Sequence, residues 1–105
     1  MNSLRFNKRF SKLEEKEFET IRLTTRFKEK DLCNIVVKGQ CICSAMLVQI
    51  RDAYIKDLSD DFLKNDTDTT SRRAAISLLR QFYPQLTEFT EVSILKLRRE
   101  SEIFA

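Results

Sequence analysis

The residues of this chain that could bear chemistry are narrowed first by what is missing. Histidine is absent, which removes Ser-His and Cys-His nucleophilic pairs and any imidazole-held zinc. Three cysteines, Cys33, Cys41 and Cys43, number one short of an all-thiolate zinc site. An odd set cannot all pair within one chain, and these sit among apolar residues, so free thiols in a reducing compartment, the cytoplasm by default, are expected. Asp66-x-Asp68-x-Thr70 has the opening spacing of a calcium loop, but Ser71 stands where glycine is needed and Ser77 where the bidentate glutamate belongs. The single glycine, Gly39, leaves no phosphate-cradling loop. No metal or cofactor is implied.

What remains is cationic. Residues 1–30 carry nine Lys/Arg against five Glu, residues 31–70 four against seven Asp, and residues 71–105 six against four acids. A positive surface is expected where the two ends of the chain meet, and it would suit phosphate. Arg5, Lys8, Arg9, Arg22 and Arg26 are the candidate ligand contacts. An arginine fork binds phosphate through two parallel N–H bonds or lies flat on a base. The alternative for the outer ones is a solvated strand edge in which they pair with Glu17 and Glu19. Arg72-Arg73 opens a helix, where positive charge is unfavourable beside the dipole. Either a phosphate or nearby Asp66 and Asp68 would account for it.

The elements that must position these residues follow from periodicity. A chain of 105 residues with 42% hydrophobic and 33% charged residues can bury roughly two-thirds of its unfolded surface. One soluble α+β domain over residues 1–105 is expected, with its core at about 4–97 and a charged tail at 98–105. Leu4 to Phe10 begins extended, and Ser11 to Phe18 reads as a short surface helix or turn touching the core through Leu13. Residues 20–27 are rich in β-branched side chains and read as a strand that frays into a charged loop at Lys28–Asp31. Leu32 to Lys38 is a second strand, closed by a turn at Gly39 that uses a positive φ. Cys41 to Ile50 is apolar on both faces and reads as a central strand, with Cys41, Cys43, Ala45 and Leu47 on one side. Arg51-Asp52 is expected to bend it.

Ser59 caps a short helix followed by acids in its first turn. Residues 64–70 show no hydrophobic period and are expected to be loop. Thr70 or Ser71 then caps a helix with Ala75, Leu78, Leu79 and Phe82 on one face, ended by Pro84. Glu88 to Leu97 regains period two and closes the sheet. No apolar run approaches the roughly 20 residues that cross a bilayer, so no membrane partner is expected, while the oligomeric state stays open between a monomer and a weak dimer.

In order and spacing, Arg9-Phe10, Glu19-Thr20-Ile21-Arg22, the helix from Leu58 to Asp66 with its acidic loop, and Phe82-Tyr83-Pro84 resemble the ASCH domain over roughly residues 4–97. The resemblance implies a PUA-like β-barrel of about five or six strands with flanking helices and a helical insert before the last strand. It places Thr20-x-Arg22 at the mouth of a cleft between barrel and helices, and the partner it implies is RNA or a modified nucleoside, held around Arg22.

Small single-domain members of that family hydrolyse acylated cytidine-type amides with a lysine, a threonine and a glutamate. By this resemblance Thr20 is the nucleophile and Asp66 the acid, one methylene shorter than the family's glutamate, with Asp68 a substitute. The family lysine would fall at Glu17, three residues ahead of Thr20, and Lys16 lies one step away. A one-residue slip in a strand reverses the facing of a side chain, so Lys16 serves only if the local loop is one residue shorter. Tyr83 either stacks on a base at the groove rim or packs its ring on the sheet.

Overall fold

The computed structural model describes residues 2–23 and 25–101. Its elements run β1 (Asn2–Phe6), a 3-10 turn at Ser11–Glu14, β2 (Glu17–Arg22), β3 (Leu32–Val37), β4 (Gln40–Tyr54), a second 3-10 turn at Ile55–Asp57, α1 (Asp60–Thr67), α2 (Arg72–Phe82) and β5 (Glu91–Arg99). The strands form one mixed sheet in the order β1-β3-β4-β5-β2. β1 runs parallel to β3, and the other neighbours are antiparallel. The class is α+β, as expected.

The sheet is not closed into the expected barrel. β1 and β2 are its edges, and among the described residues no strand ladder joins them. The sheet is curled instead. Two bulges supply the bend, one opposite Ile35/Val36, where Ile42 is the extra residue, and one at Leu47/Gln49, where Val48 is extra. An extra residue lets a strand coil without breaking its ladder. The curl brings Phe6 on one edge against Phe18 on the other, ring centroids 6.5 Å apart. It also reorders the expected alternation in β4: Cys43, Ala45 and Leu47 are buried on one face, but at the bulge Ile42 turns inward and Cys41 is left exposed. At Arg51-Asp52, where a bend is expected, the ladder is unbroken, and β4 keeps pairing with β5 as far as Tyr54.

Period-two alternation in β5 serves two cores at once. Leu95 and Leu97 face the inside of the curl with Leu4, Phe6, Phe10, Leu13 and Phe18. Val92 and Ile94 face the helices with Ile21, Leu63, Ala75 and Leu79. The 3-10 turn at Ser11–Glu14 plugs the first core with Leu13.

Local chemistry explains most boundaries. Lys38 and Gly39 both take positive φ, 51° and 84°, in the β3–β4 turn. That is the two-residue hairpin geometry favoured by strand twist, with glycine at one of its strained positions. Ser59 accepts a hydrogen bond from the Phe62 N–H, and Ser71 accepts one from Ala74, which satisfies donors left free in each first turn. α1 nevertheless runs on through Thr67, into residues expected to be loop. Its C-cap, Asp68, adopts the left-handed conformation, φ 55°, and Thr67 Oγ1 donates to the Leu63 carbonyl. β2 starts at Glu17 and stops at Arg22, earlier than expected; Thr24 lies outside the described residues. Residues 98 and 99 of the supposed tail belong to β5, and 102–105 lie outside the described residues.

Of Arg72-Arg73, Arg72 has partners other than the expected Asp66 and Asp68. It donates to the carbonyls of Leu58 and Ile55 and to the carboxylates of Asp60 and Glu88. This ties the turn before α1, α2 and the approach to β5 into one unit. Glu88 and Asp60 hold its cation above even its usual high pKa. Replacing Arg72 by alanine strands two carbonyls and should lower the free energy of unfolding by about 1–3 kcal/mol. Urea denaturation at neutral pH checks it, and a variant within error of the parent would refute the anchoring role.

Candidate functional site

The candidate site forms where the open edge of the curled sheet meets the helices. Phe18, Thr20 and Arg22 alternate onto the inward face of edge strand β2, because successive strand residues point to opposite sides. Arg5 and Phe6 arrive from the other edge, Lys12 from the first 3-10 turn, Asp66 from the last turn of α1, and Tyr83 from the end of α2. All of these except Phe18, which belongs to the core, line a half-open cavity of about 100 Å³.

The lysine of this cavity is Lys12, which the sequence reading passed over. Its Nζ donates to Asp66 Oδ1 at 2.5 Å, and the two side chains are only 3% and 6% exposed. Nζ also lies 5.6 Å from the centre of the Phe6 ring and 5.5 Å from that of Phe10. Burial pulls Lys12 below the ordinary lysine value of 10.5, Asp66 opposes that pull, and the Arg22 cation adds to the lowering. A second link braces the same junction: Asp68 accepts from the Ser11 N–H at 2.7 Å and from the Ser11 hydroxyl. Desolvation would raise the Asp68 carboxyl, but the two Ser11 hydrogen bonds outweigh it and hold Asp68 below its usual range.

Thr20 is 3% exposed and lines the cavity with this pair. Arg22 sits over Phe6, its guanidinium carbon 4.8 Å from the ring centre, and donates through Nη2 to the Arg5 carbonyl at 3.1 Å. Among the described residues, Arg22 Nε is the one buried side-chain polar atom without a hydrogen-bond partner. Burial lowers the guanidinium's pKa against the opposing influence of Tyr83 and Asp66, and an arginine remains charged all the same. Tyr83 packs on the helix-side core, as one of its two expected roles has it, and also lines the cavity.

The structure therefore brings together Thr20, Arg22, Asp66, Arg5 and Tyr83 and leaves other candidates apart. Glu17 sits on the outer side of β2, paired with Arg98 and Lys96, and Arg98 foremost holds its carboxyl below the ordinary value. Lys16 is exposed, and its carbonyl accepts from the Arg99 N–H. Neither lines the cavity. The lysine that does line it, Lys12, comes from the preceding 3-10 turn and not from β2. Arg9 pairs with Glu14. Lys8 is exposed over the Phe10 ring, 4.8 Å from its centre. Arg26 is exposed on a neighbouring shallow depression. No cluster of metal-ligating side chains occurs among the described residues. The one signal that pointed to Lys12 is its place between Phe10 and Leu13, two apolar residues that had to be buried.

Compared with known protein families, curated proteins and solved structures, the chain matches none.

Removing one partner of a buried ion pair costs far more than an apolar pair would. Asp66→Ala should thus destabilise the fold by about 3–5 kcal/mol at neutral pH, while Lys12→Met/Asp66→Leu recovers most of the loss. The sign with pH is set by Lys12. Its folded pKa lies below the unfolded value, so between the two the unfolded chain binds more protons and stability of Asp66→Ala rises with pH. Denaturation curves from pH 6 upward check both. A single variant as stable as the double, or one that loses stability as pH rises, would contradict this account.

Proposed function

We propose that the cavity hydrolyses a small amide, an acylated cytidine-like nucleoside being the class that the ASCH resemblance suggests. One observation carries this reading. A buried lysine, 2.5 Å from a buried aspartate, shares a small cavity with a buried threonine and an arginine. An isolated ion pair gains little by burial, since desolvation offsets the Coulomb attraction. A lysine whose pKa is depressed beside a hydroxyl is, by contrast, what general-base activation of a nucleophile requires.

In the proposed reaction Lys12, in its neutral form, takes the proton of Thr20 Oγ1 as that oxygen attacks the acyl carbon. The Arg22 guanidinium, which keeps an unpartnered Nε–H, supplies positive charge for the oxyanion. Asp66 stabilises the Lys12 ammonium, which returns its proton to the departing amine as the C–N bond breaks. Water then attacks the Thr20 ester; Lys12 takes a proton from the water and hands it to Thr20 Oγ1, releasing the acid. Lys12 thus takes the part that the family resemblance would assign to the Glu17 position. The curled sheet, with Phe6 of one edge on Phe18 of the other, supports reading the fold as an opened relative of the PUA-like barrel.

A second reading, binding of single-stranded RNA or a modified nucleoside without turnover, is favoured by Phe82. The residue is 42% exposed at the cavity wall beside Tyr83, in the manner of a base-stacking platform.

Incubation with acetylated cytidine separates the two. Turnover is expected, with Thr20→Ala and Lys12→Met each losing at least about 10³-fold in kcat, Thr20→Ser retaining part, and kcat rising with pH through a midpoint below 10.5. Undiminished turnover in Thr20→Ala would end the nucleophile assignment. Salt-sensitive RNA retention without any turnover would select the binding reading.

A further inference from the structure

Next to the cavity lies a shallow depression that includes Arg5, Arg22, Thr25, Arg26 and Tyr83. Arg5, Arg22 and Tyr83 are common to both hollows, so the two are continuous. Three arginines share this lining and no carboxylate does; among the described residues none of the three forms an ion pair, in contrast to Arg9, Arg51, Arg72 and Arg98 and in common with Arg73, Arg80 and Arg99, which lie elsewhere. Arg22 is held in the shared wall by the Phe6 ring beneath it and by its hydrogen bond to the Arg5 carbonyl. Thr25 Oγ1 accepts from the Phe27 N–H, which leaves the hydroxyl proton free to donate.

Three cations in one concavity whose own lining holds no carboxylate repel one another, and an anion seated among them relieves that repulsion. A guanidinium fork matches two phosphate oxygens at once. On the reading of the cavity as a nucleoside pocket, we infer that the depression is a phosphate subsite, so that the physiological ligand is a phosphomonoester, a nucleotide whose base enters the cavity while its phosphate rests among Arg5, Arg22 and Arg26. The cavity is closed on its inner side by the Lys12–Asp66 pair and α2, which suits a small molecule that ends there better than a strand that must pass through.

Calorimetric titration with cytidine 5′-monophosphate and with cytidine tests this. The monophosphate should bind at least about tenfold more tightly, a gap of about 1.4 kcal/mol, and that gap should shrink with added salt. It should close in Arg26→Ala, an exposed substitution whose folding is verified by circular dichroism, and in Arg5→Ala/Arg26→Ala. Equal binding of the two ligands by the parent would overturn the phosphate subsite while leaving the nucleoside cavity standing. A gap that survives in the double variant would overturn it as well, by putting the phosphate elsewhere. No binding of either ligand would overturn both readings. A short single-stranded RNA binding far more tightly than the monophosphate, with a steep salt dependence, would assign the cations to a polymer backbone and refute the monoester.

Discussion

The buried contact between Lys12 and Asp66 is the constraint around which this small fold is arranged. Taking an ammonium and a carboxylate out of water costs several kcal/mol each, and their attraction offsets this only at close range with good geometry. The 2.5 Å separation therefore requires the 3-10 turn at Ser11–Glu14 and the last turn of α1 to meet at a set distance. The Ser11–Asp68 hydrogen bonds brace the same junction one residue outward. Two aromatic faces, Phe6 and Phe10, complete the lysine's surroundings and keep water off without supplying a competing acceptor.

The curl of the sheet answers to the same requirement. Had β1 and β2 paired, the barrel interior would be sealed by side chains and the inner face of β2 would be pure core. With the ladder left open, Leu95, Leu97 and the phenylalanines still fill the curl, but Thr20 and Arg22, nearer the open end, border a space instead. Bulges at Ile42 and Val48 bend the middle strands far enough for the two edges to touch through Phe6 and Phe18 and no further. Arg72 then holds the helical pair over the gap by binding carbonyls and carboxylates from three segments. The helices become the cavity's third wall.

Placement gathers three cations at one spot. Arg9, Arg51, Arg72 and Arg98 have acidic partners and Arg73, Arg80 and Arg99 lie elsewhere, whereas Arg5, Arg22 and Arg26 share one hollow whose lining holds no carboxylate. A net charge of +3 conceals this, because what a ligand meets is the local imbalance and not the sum.

Short-range physics was legible in the residues themselves. Ser59, and Thr70 or Ser71, announced the helix starts through the free donors they cap, Gly39 announced the hairpin through its tolerance of positive φ, apolar residues on both faces of Cys41–Ile50 announced a central strand, and period two in Glu88–Leu97 announced the closing one. Thr20, Arg22 and Asp66 could be singled out, and the structure gathers them in one cavity. Tertiary packing decided the rest. Lys12 reads as one more charge in a polar stretch, since nothing within its own turn tells that Asp66, 54 residues onward, will be folded against it. Asp66 reads as loop because residues 64–70 lack apolar period, yet α1 continues there on the strength of contacts to the turn at Ser11. Open edges in place of a closed barrel, likewise, follow from where two bulges fall, and a bulge is a property of strands paired at long range, not of either strand alone.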